Sequence, residues 1–349
     1  IITISQLIFK SNKMSYKPNP LLLVSPAKKF RKIDASIQSF HPQWLKYHDS
    51  IPNDTLYHYT NLAGITGILE NRNIRFTHTL AFDDPNELIY GQNLIKSVFS
   101  DVIGKEDCET KINIIKQLEA QFDTLDFMGY DFYVACFCEK NSLLSQWRAY
   151  SNNGRGYCIG IEINELTCIS GILNNLNNNK YLCIRKVIYD ENLQKKLVNN
   201  YLNTIVPVIV ETLKNPSNQF EENLMLSMIC IEAVNVLWDM LVVFKHSAFS
   251  EELEWRIIHA TQRTHEMKYV KLKNSGTKLN PFRPIYFYQE NHGKKQFPLK
   301  SLTYGPSLDP SQSKVFLEIL INKISSDDHI LIVPSNIKVK SPGFRYGQK

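Results

Sequence analysis

Acidic side chains crowd the late segment KHSAFSEELEWRIIHA, where Glu251, Glu252 and Glu254 come just before a strand-like run. Residues two apart on a strand face the same side, so Glu254 and Arg256 share one face. A carboxylate in this position could stabilise a developing oxocarbenium ion or bind a ribose 2′-hydroxyl. The alternative is a charged strand start whose surface ion pairs contribute little, and the segment alone favours that alternative.

A histidine stands between two tyrosines in the early segment LYHYT. On a strand, Tyr57 and Tyr59 face one side and His58 faces the other. An imidazole can donate to a ribose hydroxyl, and a tyrosine ring can stack on a nicotinamide or adenine ring. A hydrogen-bonded histidine in an aromatic core gives the same pattern and is the more common case.

A third segment, SLLSQWRAYS, lies between two strong strand candidates. Trp147 and Tyr150 are three residues apart, so they share a face on a helical turn. Arg148, beside them, could bind a pyrophosphate in bidentate fashion. A packed aromatic pair with a surface arginine explains these residues equally well.

Polar side chains also crowd the segment FDDPNE, which contains Asp83, Asp84, Asn86 and Glu87. Close like charges repel, so this segment must be solvated or hold a donor-rich partner. A metal or ribose site would meet that need. An acidic turn before a helix N-terminus is the more common arrangement.

Signatures of metal centres and of several enzyme classes are missing from the sequence. Cys136 and Cys138 form C-x-C in a strand-like run, but no second pair follows at ligand spacing, so we predict two buried thiols and no metal site. The sequence holds no HExxH, kinase or Ser-His-Asp signature. It also lacks a Walker loop and a G-x-G-x-x-G after a strand, which excludes dinucleotide binding of the Rossmann type.

Hydrophobic periodicity predicts the elements that position these segments. Strands are predicted for TLYHYT, IRFTHT, DFYVACFCEK, GYCIGIEI, CIRKVIYD, EWRIIHA, RPIYFYQ, LTYG and HILIVPS. Helices are predicted after Thr60 or Asn61, over 87–99, 109–122 and 312–324, and as two or three helices within 191–247. SLLSQWRAYS is predicted as a short helix or turn, NNGRG as a turn, and a short helix is expected near 42–48. Strand groups interrupted by helices indicate an α+β fold.

Composition sets broad limits on the protein class. The chain has 349 residues, 43% hydrophobic and 21% charged, which are globular values. A net charge of +6 does not by itself imply a nucleic-acid partner. The basic cluster in SPAKKFRKID, formed by Lys28, Lys29, Arg31 and Lys32, could steer a phosphate backbone, although a solvated arm is the more common reading of such a run.

Cysteine usage and one apolar segment bear on the compartment. Seven scattered cysteines show no secreted disulfide framework, so we expect a cytoplasmic protein. The apolar stretch from Leu224 to Phe244 contains Glu232 and Asp239, which predicts a buried core helix and no membrane partner. Met14 is typical of a translation start, so residues 1–13 are interpreted as either upstream or expression-vector sequence and are left out of the fold prediction, with their native status open.

Taken together, four segments resemble a bacterial family of domains of unknown function. The family pattern is Y-H-Y-T, an N-D-x-x-E-like loop, C-F-S with a W-x-x-Y turn and G-x-C-I-G-I, and a late E-x-E-W-R. The matching residues here are Tyr57–Thr60, Asp83–Glu87, Cys136–Ile161 and Glu252–Arg256, and the resemblance spans roughly residues 55 to 345. The chain departs from the pattern in having Asp83 where Asn is usual and Cys138 where Ser is usual.

That family in turn resembles the ADP-ribosyltransferase superfamily and is similar to its DNA-modifying toxins. The resemblance implies a split β-sheet with helical insertions over residues 51–349, preceded by an arm over residues 1–50. It also implies that NAD is bound as a substrate. By this resemblance Glu254 is the catalytic acid that binds the ribose 2′-hydroxyl, and His58 and Thr60 position the ribose and the nicotinamide amide. The remaining implied NAD-binding residues are Tyr59, Arg75, Trp147, Arg148 and Tyr150.

The function implied is transfer of ADP-ribose from NAD to a macromolecular acceptor, either nucleic acid or protein. Such an enzyme would act as a toxin or anti-phage effector and would have an inhibitor or antitoxin partner. Two alternatives stay open. One is a non-catalytic nucleotide-binding module, and the other is a metal-dependent nuclease built on the acids of FDDPNE and EELE.

Overall fold

The computed structural model describes residues 35, 55–82, 84, 86–124, 130–162, 181–214, 219–262, 269–274, 279–286, 288–291, 294–324, 332–333 and 337–343. The chain divides into two compact units. The sheet unit takes residues 51–82, 131–187 and 248–349, and the helical unit takes its described helices from 83–130 and 188–247. The basic arm and the helix predicted near 42–48 lie outside the described residues.

The sheet unit contains twelve described strands. Their bounds are β1 Thr55–Thr60, β2 Asn73–His78, β3 Tyr130–Cys138, β4 Tyr157–Glu162, β5 Tyr181–Lys186, β6 Glu254–Gln262, β7 Lys271–Asn274, β8 Leu279–Tyr286, β9 Gln289–Asn291, β10 Lys294–Gln296, β11 Leu299–Tyr304 and β12 Lys338–Lys340. Its helices are α1 Leu62–Asn71, α4 Leu144–Tyr150 and α7 Pro310–Ile324, with 3₁₀ turns at Thr79–Ala81 and Ser247–Glu252.

Ten of these strands form one open sheet. The main path runs β12-β11-β4-β1-β3-β2-β8-β7, and β6 joins β3 to β5 beside this path. The pairs β1–β3, β1–β4, β4–β11, β2–β3, β2–β8, β5–β6 and β7–β8 are antiparallel, and β11–β12 is parallel. Strands β9 and β10 form a separate two-stranded ribbon. The α+β class predicted from the sequence is therefore confirmed.

Helix α1 shows how local sequence sets an element of the sheet unit. The Asn61 side chain accepts a hydrogen bond of 2.9 Å from the Gly64 amide, which caps the helix as predicted. Arg72 ends it in the left-handed region at φ 55°. Ile65 and Leu69 bury their side chains in the main core together with Leu56 of β1 and Phe76 of β2. Burial of this face fixes α1 between the two strands that it connects.

Four long helices make up the described part of the helical unit. They are α2 Asn86–Ile103, α3 Glu109–Asp123, α5 Glu191–Thr212 and α6 Gln219–Leu241. The window Glu222–Leu241 is long and apolar enough to span a membrane, with a mean hydropathy of 1.7, yet 67% of it is buried within the protein. This matches the buried core helix predicted for that stretch.

Polar groups tie the helical unit together at one end. The Gln194 side-chain amide donates to the carbonyl of Lys245 over 3.0 Å and accepts from the Tyr90 hydroxyl over 2.8 Å. Glu87 and Lys245 form a nearly buried ion pair of 3.6 Å. Glu87 of the FDDPNE segment is therefore engaged in a structural contact within this unit.

Several predicted elements need correction. Of the predicted closing strand HILIVPS, the structure describes Ile332 and Val333, which are irregular, and the other residues lie outside those described. The strand predicted as RPIYFYQ begins earlier, at Leu279, where pairing with β7 extends it. Strands β7, β9, β10 and β12 were not predicted, since segments of three or four residues carry too little periodicity.

Candidate functional site

The sheet opens between β1 and β3. These strands share one register position, Tyr57 opposite Cys138, whereas β1 pairs with β4 along all six of its residues. His58 spans the opening, because its Nδ1 lies 2.9 Å from the carbonyl oxygen of Cys136 on β3. Its ring also contacts Phe137, with centroids 5.6 Å apart. Burial lowers the pKa of His58 and so favours the neutral imidazole. The hydrogen bond to Cys136 raises the pKa, but its effect is the smaller of the two.

Tyr59 faces the opposite side of β1 and belongs to a small aromatic cluster with Trp147, Cys138 and Cys158. Its ring meets that of Trp147 edge to face, with centroids 5.0 Å apart. Its hydroxyl donates to the carbonyl of Lys140 over 2.7 Å and accepts from the amide of Leu143 over 3.2 Å. Tyr59 therefore holds the loop before α4, and both roles of its hydroxyl are in use.

Burial raises the pKa of Cys138 to about 12. The thiol is therefore protonated at neutral pH, which argues against a nucleophilic role. The prediction that both thiols are buried is correct for Cys138 and wrong for Cys136. Cys138 is covered by the aromatic cluster, whereas Cys136, two residues earlier on the same strand, is exposed.

Helix α4 carries two polar side-chain atoms that are buried and make no hydrogen bond. They are the Trp147 indole Nε1 and the Ser145 hydroxyl. After this helix, Asn152, Asn153 and Gly154 adopt left-handed conformations, which forms the predicted NNGRG turn. The turn is held by the amide of Gly305, which donates to the carbonyl of Gly156 over 2.9 Å. Only glycine fits at position 305, since a Cβ there would lie 2.1 Å from the carbonyl oxygen of Gly154.

The middle and late segments meet at Tyr150 and Glu252. The Tyr150 ring is 44% exposed, and its hydroxyl lies 3.4 Å from Oε1 of Glu252. Leu253, the next residue, has a left-handed backbone at φ 47°, an uncommon conformation for a branched side chain. This residue packs against the aromatic cluster and connects the 3₁₀ turn Ser247–Glu252 to β6.

Glu254 begins β6 and is buried, with only 5% of its surface exposed. Arg256 holds it in a bidentate ion pair, with Nε 2.8 Å from Oε1 and Nη2 3.3 Å from Oε2. The two residues share a face, as the sequence predicted. The guanidinium also lies over the Phe82 ring, 5.3 Å from its centre, within the limit of about 6 Å for a cation–π contact. Glu254 is thus a fixed, charge-paired carboxylate.

Glu139, just after β3, locks that strand to β6. Its Oε1 accepts from the indole Nε1 of Trp255 over 2.8 Å and lies 2.8 Å from Nζ of Lys186 on β5. The Glu139 amide donates to the carbonyl of Leu253 over 3.2 Å. These contacts fix the backbone between Glu252 and Glu254 relative to β3.

The remaining predicted NAD-binding residues lie at different places in the sheet unit. The Thr60 side chain lies against Gly64 in the first turn of α1, where an added Cβ would come within 1.9 Å of the Thr60 hydroxyl oxygen. Arg148 is exposed on α4. Arg75 is exposed on β2, with its guanidinium 5.1 Å from the centre of the Phe282 ring. Its described contact is therefore with β8, away from the aromatic cluster.

The acids proposed for a metal-dependent nuclease are not gathered into one site within either unit. Within the part of the chain that the structure describes, no group of three His, Cys, Asp or Glu side chains could hold a metal ion. Asp83 lies outside the described residues, and Asp84 accepts from the amide of Asn86, as an acidic turn before a helix does.

Residues 146–257 match the model of a family described as Protein of unknown function (DUF2971). No curated protein and no solved structure matches the chain. The matched segment starts on α4 and ends on β6, so it contains Trp147, Tyr150, Glu252 and Glu254. This supports the predicted resemblance to a family of domains of unknown function.

Sequence reasoning noted Glu252 as one of a cluster but assigned it no role. Its distinguishing feature is the left-handed Leu253, which separates the half-buried Glu252 from the buried Glu254. Nothing in the letters ELE indicates that conformation. Glu139 was also missed, because its two partners are more than 40 residues away along the chain.

Proposed function

We propose that the sheet unit is an NAD-dependent ADP-ribosyltransferase domain with a split β-sheet. The observation that carries the proposal is the opening between β1 and β3, which His58 spans with a hydrogen bond to Cys136. The resemblance to ADP-ribosyltransferases implies an opening of this kind beside the first-strand histidine. The contact of Tyr150 with Glu252 adds support, because it joins the middle and late motifs.

The proposed reaction breaks the bond between the nicotinamide nitrogen and C1′ of the adjacent ribose. Nicotinamide leaves with the bonding electron pair, and the ribose develops oxocarbenium character, as in glycoside chemistry. A nucleophilic atom of the acceptor then forms a bond to C1′ and loses its proton. A fixed carboxylate beside the ribose stabilises the positive charge.

Glu254 supplies that carboxylate in the proposal. Arg256 fixes both of its oxygens, and in the proposal a ribose hydroxyl donates to one of them. Arg256 also places a positive charge beside both oxygens. Glu252 lies at a more exposed position beside Tyr150. The experiment must therefore distinguish the role of Glu252 from that of Glu254.

Ring and cation roles follow from exposure. Tyr150 is the tyrosine that stacks on the nicotinamide, since Tyr59 is buried and its hydroxyl is engaged on both sides. Arg148, exposed two residues before Tyr150, binds the pyrophosphate. His58 and Thr60 position the ribose and the amide.

The biological role proposed is that of a toxin or anti-phage effector acting in the cytoplasm on a nucleic-acid or protein acceptor. An enzyme of this kind consumes the NAD of its own cell. The proposal therefore includes an inhibitor or antitoxin protein as a partner.

The test is transfer of label from NAD to a bacterial lysate that contains protein, RNA and DNA. We expect label in one fraction with the wild-type chain. The control variant Glu251→Gln should behave in the same way, since it changes an exposed acid next to Glu252 in the 3₁₀ turn Ser247–Glu252. Glu254→Gln should lower transfer about 100- to 1000-fold, the loss typical of removing one transition-state contact. Glu252→Gln identifies which of the two carboxylates acts.

Controls separate the alternatives. A chelator should leave transfer unchanged, whereas a metal-dependent nuclease would lose its activity. Full transfer by a folded Glu254→Gln protein would remove Glu254 from the mechanism. Absence of both label and nicotinamide release would contradict the proposal and favour a nucleotide-binding module. The occupied, buried carboxylate of Glu254 is the observation that favours this second candidate.

A further inference from the structure

One face of strands β2, β8 and β7 is rich in cations and aromatic rings. Cross-strand register places Lys271 opposite Phe282 and Lys273 opposite Asn280, and it places Arg75 opposite Pro284. Residues paired in this way lie on the same side of a sheet. Tyr286 lies on that side as well, because it is separated from Phe282 by an even number of residues. We call this surface the basic face.

The side chains of the basic face are available to a partner. Arg75, Lys271 and Lys273 are exposed, and Tyr286 is 41% exposed. The alternate residues of β8, Arg283 and Ile285, are buried on the opposite side. Pleating therefore buries Arg283 and Ile285 on one side of β8 and leaves the basic face on the other side accessible to solvent.

Charge on the basic face is of one sign. The sequences of the three strands, NIRFTH, KLKN and LNPFRPIY, contain no Asp or Glu. The Arg75 guanidinium lies 5.1 Å from the centre of the Phe282 ring, and Lys271 stands directly across from the same ring. In single-stranded nucleic acid, each base lies between two backbone phosphates. Cations on either side of an aromatic ring can contact those phosphates while the ring stacks on the base.

We propose that the basic face binds single-stranded nucleic acid. Lys271, Lys273 and Arg75 contact phosphates, and Tyr286 stacks on an unpaired base. A duplex is a poor fit, because reading its grooves needs a protruding helix or ribbon. An acidic peptide would use the cations but not the rings. Stacking and phosphate contacts do not read the 2′-hydroxyl, so DNA and RNA strands of equal length should both bind.

The proposal is independent of the transfer reaction, since binding needs neither NAD nor either glutamate. If both hold, single-stranded nucleic acid becomes the acceptor class, and that step alone rests on the proposed function. The binding assay therefore omits NAD, and its failure would leave the transferase proposal standing.

The test is fluorescence anisotropy of the full chain with labelled oligo-dT and oligo-U of about 20 nucleotides, long enough for sites of this kind. The variant Lys271→Gln/Lys273→Gln should bind about tenfold more weakly at about 100 mM salt, and its plot of log K against log salt should be shallower by roughly 1.4. The matched control, Lys196→Gln/Lys314→Gln, changes two exposed lysines on α5 and α7 and should bind like wild type.

A second variant separates stacking from charge. Tyr286→Ala should weaken binding about tenfold without changing the salt slope, because it removes a ring and no cation. Wild-type affinity in both variants would overturn the proposal. So would equal binding of a duplex or of polyglutamate with the same sensitivity to the variants, since the basic face would then be a general polyanion surface. Circular dichroism and thermal unfolding check that each variant is folded.

Discussion

The two units differ in how their buried polar side chains form hydrogen bonds. In the helical unit, Gln194 satisfies its side-chain amide through Tyr90 and Lys245, and the Tyr201 hydroxyl donates to the carbonyl of Ala233. In the sheet unit, the hydroxyls of Ser145, Ser301 and Thr303 and the indole of Trp147 are buried without a hydrogen-bond partner. The indole of Trp238 and one carboxylate oxygen of Glu232 are counterparts in the helical unit.

Unpaired buried polar atoms cost stability, so a protein keeps them where they have another use. Their concentration around β11 and α4 indicates that the sheet unit is not optimised for packing alone. The described contacts of the helical unit connect its own helices and indicate a structural role. The predictions below test this contrast in order of expected effect.

The largest effect should come from breaking one buried ion pair in each unit. Glu254→Gln removes one partner of a bidentate pair and should cost about 3–5 kcal/mol of unfolding free energy, because Arg256 would keep an uncompensated buried charge. Glu87→Gln breaks a longer contact of 3.6 Å and should cost about 1–3 kcal/mol. Urea unfolding measures both.

The control for these variants is Glu70→Gln, an exposed acid on α1, which should change stability by less than about 0.5 kcal/mol. Equal losses for Glu254→Gln and Glu87→Gln would show that the two pairs are equivalent and would weaken the contrast between the units.

Two fully buried tryptophans with unpartnered indoles offer a matched comparison of intermediate size. Trp147→Phe and Trp238→Phe should each cost roughly 1–3 kcal/mol, as core truncations do. Trp147 packs against Tyr59 and shares α4 with Tyr150, so only Trp147→Phe should also lower NAD turnover per folded molecule, by about tenfold.

Turnover and stability must be measured on the same preparations. If Trp238→Phe lowers turnover as much as Trp147→Phe, the helical unit is coupled to the reaction and is more than a scaffold.

The smallest effect is a pH dependence that originates in the sheet unit. Burial lowers the pKa of His58, so below about 6.5 the unfolded chain binds a proton more readily than the folded one. Stability should therefore fall as pH drops from about 6.5 toward the folded pKa, by at most about 1.4 kcal/mol per pH unit. The stability of His58→Asn should fall less over the same window.

His246→Asn, which replaces an exposed histidine of the helical unit, serves as the control and should retain the wild-type pH dependence. An unchanged pH dependence in His58→Asn would assign the effect to other groups.

Local patterns in the sequence predicted much of the fold. Alternation in TLYHYT located β1 and the opposite orientations of His58 and Tyr59, and the Asn61 cap located the start of α1. These features depend on neighbours within a few residues, which a single sequence shows. Strand pairing does not, so the opening between β1 and β3 could be expected only through the family resemblance.

The candidate site was less predictable, for the same reason. Glu254 and Arg256 were correctly placed on one face, since that needs only the period of a strand. The burial of the pair, the contact of Tyr150 with Glu252 and the packing of Arg75 on Phe282 all depend on distant segments. Arg75 is the clearest example of what a single sequence does not predict. From the sequence, a surface arginine on a strand is compatible with a pyrophosphate site and equally with the basic face.

The sheet unit is assembled from three separate stretches of chain, and this has a consequence for biosynthesis. β1 leaves the ribosome long before β11, which completes the sheet beside β4; about 240 residues of synthesis take roughly 10–50 s. A nascent chain that ends before the 3₁₀ turn Ser247–Glu252 carries His58, Trp147 and Tyr150 but neither Glu252 nor Glu254. The proposed activity is thus withheld until β11 has been synthesised, and a partner protein that binds unpaired strands could intercept the chain during that interval.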